Sequence, residues 1–193
     1  MIGFAMCGSF CTARAALEQM RALVRDGNEV VPILSENLST LDTRFGKASE
    51  LVAEVEKICK RKAITNIVDA EPLGPKVPLE ALIIAPCTGN SLAKIAAGIT
   101  DTSVTMAAKA HARSLRPMVI ALASNDALCV GLSNIATLMQ KKSVYFVPLS
   151  QDSPEFKPNS LVCDYSLIPR TLEAALSGKQ LQPLFLPAGS KKV

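Results

Sequence analysis

Apolar runs that stop abruptly at small polar residues constrain this chain more than any other feature. The run from Leu79 to Ala85 enters Pro86-Cys87-Thr88-Gly89-Asn90-Ser91 and then a helix-spaced segment, Ser91 to Ala97. Residues 2–8 end at Gly8-Ser9, Glu29 to Leu34 at Ser35-Glu36-Asn37, and Pro117 to Ala123 at Ser124-Asn125-Asp126. Ala15, Ala16, Leu17, Met20, Leu23 and Val24 repeat at helical spacing until Gly27-Asn28 stops the pattern. The same periodicity predicts helices over 46–62, 102–115, 130–142 and 170–178. Asn66 to Asp69 reads as a weak strand, 70–78 as a loop, Ser143 to Pro148 as the last strand, and 149–169 as a polar tail.

Strands alternating with helices at this spacing imply a parallel sheet covered on both faces. Right-handed crossovers then make it doubly wound. At 193 residues one well-cored domain is expected. The expected fold is therefore α/β, a Rossmann-like, flavodoxin-type three-layer sandwich spanning 1–193, with its core over 1–148 and a C-terminal extension over 149–193. Aromatic residues are only 4% and Trp is absent, so the core must be built from Ala, Val, Leu and Ile. No apolar run approaches the roughly 18 residues of a membrane span. The N-terminal Met1-Ile2-Gly3-Phe4-Ala5-Met6 lacks the basic flank of a signal peptide, so a cytoplasmic protein is expected.

The net charge of +4 is mild. Its clusters, Lys60-Arg61-Lys62, Lys141-Lys142 and Lys191-Lys192, carry no interleaved aromatics and suit solvated helix ends. Nucleic acid is not an expected partner. Of the six cysteines, no two form a CxxC pair, and His111 is the only histidine, so no metal site is expected. The cysteines suit small buried positions. Cys87 stands at a helix start, where the dipole would lower its pKa, yet no sequence-adjacent base or acid activates it. His111 lies in an Ala-rich run that favours packing over general-base work.

In an open α/β sheet, ligands bind at the carboxyl edge of the strands near the switch in strand order. All four polar clusters fall on that edge, although each alone could be a turn or a helix cap. Gly8 and Ser9 join a strand to a helix whose first amides suit a phosphate, and Ser35 could reach the same anion. The turn is neither a GxGxxG fingerprint nor a P-loop, so NAD is not expected on this chain even though Glu36 lies where an acidic ribose partner would. Thr88, Asn90 and Ser91 form a ledge of donors and acceptors with little bulk, fit for the edge of a flat heteroaromatic ring. Asn125 follows the next strand.

Three motifs together resemble the flavoprotein family of FMN-binding cysteine decarboxylases and their relatives. They are Cys7-Gly8-Ser9, Pro86-Cys87-Thr88-Gly89-Asn90-Ser91, and Lys94-Ile95-Ala96-Ala97-Gly98-Ile99-Thr100-Asp101. The resemblance implies FMN, its phosphate at Gly8, Ser9 and Ser35 and its ring nearer Thr88, Asn90 and Ser91, with Asn125 a further cofactor-binding residue. It also implies trimers or multiples of trimers. Two departures set this chain apart: Pro72-Leu73 stands where the decarboxylases carry a catalytic His, and their Pro-Ala-Met-Asn motif survives only as Ala123-Ser124-Asn125. Within the family these departures favour an oxidoreductase component from a spore-forming bacterium, acting with a dehydrogenase-like partner that carries NAD(P). No catalytic residue of this chain is assigned.

Overall fold

The computed structural model describes residues 1–74 and 76–188, so the Lys191-Lys192 cluster lies outside the described residues. Five parallel strands form the body of the sheet: β1 Ile2–Met6, β2 Val30–Leu34, β3 Ala81–Thr88, β4 Met118–Ser124 and β5 Val144–Phe146. Their order is β2-β1-β3-β4-β5, so the chain reverses direction across the sheet between β1 and β3. β1, β2 and β5 are buried along their whole length, and β3 and β4 at every residue but the last. Such strands must be apolar on both faces, which explains the unbroken apolar runs.

Among the described residues, eight α-helices cover the sheet. They are α1 Ala13–Arg25, α2 Glu36–Thr40, α3 Ala48–Cys59, α4 Ile67–Ala70, α5 Gly89–Ala97, α6 Ser103–Ala112, α7 Leu132–Met139 and α8 Ile168–Leu176. α1 packs against α3 and α8; α6 packs against α4 and α5, and α5 against α7. The Lys94-to-Asp101 motif is a helix stop. Gly98 takes φ 74°, the Ile99 amide bonds back to the Lys94 carbonyl at 2.8 Å, and the Lys94 ammonium holds both Asp101 oxygens at 2.9 and 2.7 Å.

Two expectations fail. Asn66 to Asp69 is not a strand: the Asn66 side chain accepts the Asp69 amide at 2.9 Å and starts the one-turn helix α4, leaving Val68 79% exposed. The tail over 149–169 is not without strands either. β6 Leu149–Ser150 and β7 Leu161–Cys163 pair antiparallel, and β7 pairs antiparallel with the end of β4 through Val162 opposite Ala123. β4 therefore carries β5 beside its first half and β7 beside its last residues. Among the described residues the sheet has seven strands and is mostly parallel.

The charged clusters behave as helix ends. Lys60 caps α3 in the left-handed region at φ 51°, Arg61 pairs with Glu29 and Lys62 with Glu56. No helix among the described residues is long and apolar enough to cross a membrane. Among the same residues no group of His, Cys, Asp and Glu could hold a metal ion, and the six cysteines are free thiols.

Candidate functional site

The carboxyl ends of β1, β2, β3 and β4 bring the four polar clusters to one rim. After β1 the chain turns through Gly8 and Ser9, where the Ser9 amide bonds the Cys7 carbonyl at 2.8 Å. Thr12 Oγ1 donates to Ser9 Oγ at 2.8 Å, so that turn is tied to the start of α1. A methyl at Gly8 would meet only ordinary contacts, Phe10 at 3.6 Å and Asn37 at 3.7 Å. Helix α1 has no side-chain cap and no acidic residue in its first turn. The Ala13 amide is taken by the Phe10 carbonyl at 3.4 Å, so the amides of Arg14 and Ala15 are the ones that the missing side-chain cap leaves for an anion, with 13 residues of aligned dipole behind them.

Ser35 stands beside this turn. Its amide bonds the Met6 carbonyl at 2.9 Å, and its buried hydroxyl accepts the Leu38 amide at 3.4 Å. Glu36 follows and bridges to α6: Oε1 accepts the Ser103 amide at 2.9 Å, while Ser103 Oγ donates to the Leu34 carbonyl at 2.6 Å. Glu36 Oε2 is buried without a hydrogen-bond partner among the described residues. An orphaned carboxylate oxygen beside a phosphate-type turn calls for a donor such as a sugar hydroxyl.

The ledge is the junction of β3 and α5. Thr88 caps α5 by accepting the Ser91 amide at 3.2 Å and also donates to Ser91 Oγ at 3.1 Å. Ser91 is buried, whereas Asn90 is exposed and projects as the free end of the ledge. Gly89 is pressed against β4: a Cβ there would lie 2.5 Å from Ser124 Oγ and 3.0 Å from Asp126 Oδ1. Ser124 in turn donates to Asp126. Asn125 is exposed, and its side-chain oxygen accepts from Ser160 Oγ at 3.4 Å, which moors the segment before β7 to the rim.

Below the ledge the chemistry differs from the expectation for Cys87. Its thiol is buried and lies well above the ordinary cysteine value, first because it hydrogen-bonds Cys7 and then because of burial. The pull of the α5 dipole does not prevail. Cys7 is the sulfur that is shifted down, by the bond from Cys87 and a further one from Ser91. Neither thiol is exposed to a substrate, so both are packing residues. His111 is likewise buried, at the far end of β4, with Nε2 3.0 Å from the Pro117 carbonyl.

Residues that spacing alone could not reveal complete the site. Tyr165, carried in after β7, is buried with its hydroxyl close to Thr12, and burial pushes its phenol pKa up. Tyr165 thus packs behind the Thr12–Ser9 bond and backs the first turn. Leu73 is buried, and the next residue, Gly74, packs on the Ala110 carbonyl of α6.

Known proteins share this architecture. The Flavoprotein family profile matches residues 1–168. The B subunit of dipicolinate synthase from Bacillus subtilis (strain 168) is 46% identical over 185 residues, 96% of this chain and 92% of that one. A crystal structure of the corresponding B subunit of dipicolinate synthase from Bacillus halodurans C superimposes with a TM-score of 0.89 at 43% identity, covering 97% of this chain and 96% of that chain. An FMN-dependent cysteine decarboxylase, SpaF, shares the fold at a TM-score of 0.63 and 21% identity, covering 92% and 95%.

Proposed function

Because the chain belongs to the flavoprotein family, we propose that it binds FMN at this rim and works as the B-type component of a dipicolinate synthase. With a dehydrogenase-like A subunit it would oxidise dihydrodipicolinate to dipicolinate in the cytoplasm of the mother cell of a sporulating bacterium. The observation that carries the reading is the near-full-length likeness to the B subunits of dipicolinate synthases, on a rim whose residues fit a flavin phosphate and ring edge.

The fit is chemical. Ser9, Ser35 and the uncapped amides of α1 suit a phosphate. The orphaned Glu36 oxygen suits a hydroxyl donor of the ribityl chain. Thr88, Asn90 and Ser91 offer donors and acceptors to the ring edge, and Asn125 closes the rim. When bound, FMN supplies a two-electron centre. The aromatisation removes two hydrogens from the substrate, one as hydride to NAD(P)+ on the A subunit and one as a proton. This chain supplies no histidine base for that proton, since its only histidine is buried at the opposite end of β4. Its residues bind and orient, and the hydride acceptor sits on the partner. Trimers, or multiples of trimers, would place the open rim near the contacts between protomers.

A second reading, a flavin-fold scaffold without chemistry of its own, is favoured by the lack of a histidine base at the rim. A stand-alone decarboxylase is disfavoured by Pro72 and buried Leu73 in place of the histidine. Visible absorption of the purified protein tests flavin binding directly. Titrating purified A subunit with this chain, with and without FMN, then follows dihydrodipicolinate oxidation. Activity that needs both the chain and FMN supports the first reading; activity that needs the chain but ignores FMN supports the scaffold.

A further inference from the structure

Away from the rim, a trough of about 330 Å³ lies between α6 and α7, floored by the first residues of β4 and β5. Gly98, where α5 stops, and the following Ile99 line it as well. Met118, Leu138 and Ile99 line it, and Ile99 is 48% exposed. Lys109 and Arg113 stand four residues apart on one side of α6, and Lys141 faces them from the end of α7. None of these three cations has an ion-pair partner among the described residues, although eight other pairs form there.

An apolar floor between two helices with an unpaired basic rim is the receptor half of helix-in-groove recognition. Its complement is an amphipathic helix with an apolar stripe and acidic flanks. The chain offers little of this kind to another copy of itself. Glu18, Glu54 and Glu56 on its long helices are already paired with Arg21, Arg14 and Lys62, and the apolar faces of those helices, Leu17, Leu23 and Val55 among them, are buried in the chain's own core. Of the hydroxyls at the trough, that of Thr105 is spent in the cap of α6, which leaves only Thr100 and Ser143 as small polar groups there.

We propose that the α6–α7 trough is the docking site for an acidic amphipathic helix of the dehydrogenase-like partner. This inference rests on the proposed function, which supplies the partner. The trough lies toward the amino edge of β4, so a partner docked there leaves the carboxyl-edge rim open. Association should be fast at low salt and weaken as salt screens the three cations.

The test uses the intact protein and purified A subunit. Affinity is measured by sedimentation and surface binding for the unaltered protein, for the triple reversal Lys109→Glu, Arg113→Glu and Lys141→Glu, and for Ile99→Glu, which fills the trough with charge. Both variants should bind the A subunit roughly tenfold more weakly or worse. Their melting temperature, flavin absorption and homo-oligomer mass should stay the same. Undiminished binding by both variants overturns the site while leaving the proposed function standing. A smaller homo-oligomer in the variants shows that a second copy covers the trough and also overturns it. If the unaltered protein ignores the A subunit, both the docking site and the two-component function fall.

Discussion

Gly89 is a glycine for want of space, not for backbone freedom. A Cβ there would meet Ser124 Oγ at 2.5 Å, so Gly89→Ala must push α5 and the ledge away from β4. Overpacking of this kind costs about 1–3 kcal/mol, and the ledge should lose flavin affinity with it. Adding Ser124→Ala removes the nearest atom and should restore part of both losses, a non-additivity readable from urea melts and flavin titrations of the two single variants and the double. His111 makes a prediction of a different kind. Burial, and then the nearby Arg116 charge, lower its pKa below the unfolded value of about 6.5. The unfolded chain thus binds a proton that the folded chain refuses. Its contribution to stability is present above about pH 6.5 and is lost as pH falls from there toward the folded value. Unfolding midpoints at about pH 7.5 and pH 5.5 should differ more in the unaltered protein than in His111→Gln; equal differences would mean the buried ring titrates freely.

Among the elements, α6 depends on its first turn. Thr102 and Thr105 form a reciprocal capping box, with the Thr102 hydroxyl accepting the Thr105 amide at 3.1 Å and the Thr105 hydroxyl accepting the Thr102 amide at 3.0 Å. Thr102→Ala should cost about 1 kcal/mol and lower the melting temperature by roughly 2–4 °C; no shift would show that Glu36 alone caps the helix. The cap at Thr88 was legible from sequence, unlike this one, as were the strands buried on both faces, because unbroken apolar runs and small polar stops are local signals. The failures have two causes. Asn66 to Asp69 carries β-branched residues, yet Asn66 caps a helix turn whose Val68 faces solvent, so the local propensity was overridden by a side-chain-to-backbone bond. Strands β6 and β7 have two and three residues, too few to show any period, and exist because β4 offers them an edge. At the rim, Ser9, Ser35 and Thr88 could be read from their place after strands. The Cys7–Cys87 bond and the Tyr165 support could not, because they join residues far apart in sequence.

For the whole molecule, those late strands turn the C-terminal segment into part of the sheet and part of the site. β7 covers the end of β4, Ile168, Leu172 and Ala175 are buried, and Tyr165 reaches the Thr12–Ser9 turn. A chain ending at Pro148 would keep all five parallel strands, so sequence periodicity alone would let it stand. Physically it would uncover the last residues of β4 and expose the apolar face of α1 that packs on α8. Losing Leu161, Val162, Tyr165, Ile168 and Leu172 together, at about 1.5–3 kcal/mol for each buried side chain, is enough to exhaust the roughly 5–15 kcal/mol of a typical domain. The truncated chain should therefore bind a hydrophobic dye, lose its near-ultraviolet dichroism and melt without a cooperative transition. Tyr165→Phe separates the two roles of the segment: it keeps the packing and removes only the hydroxyl behind Thr12. It should melt near the unaltered protein, within about 1–2 kcal/mol, yet hold FMN more weakly, because the Ser9 turn would lose its backing. A truncated chain that melts cooperatively at the original temperature would make the segment an appendage, and a Tyr165→Phe protein with full flavin affinity would confine the residue to packing.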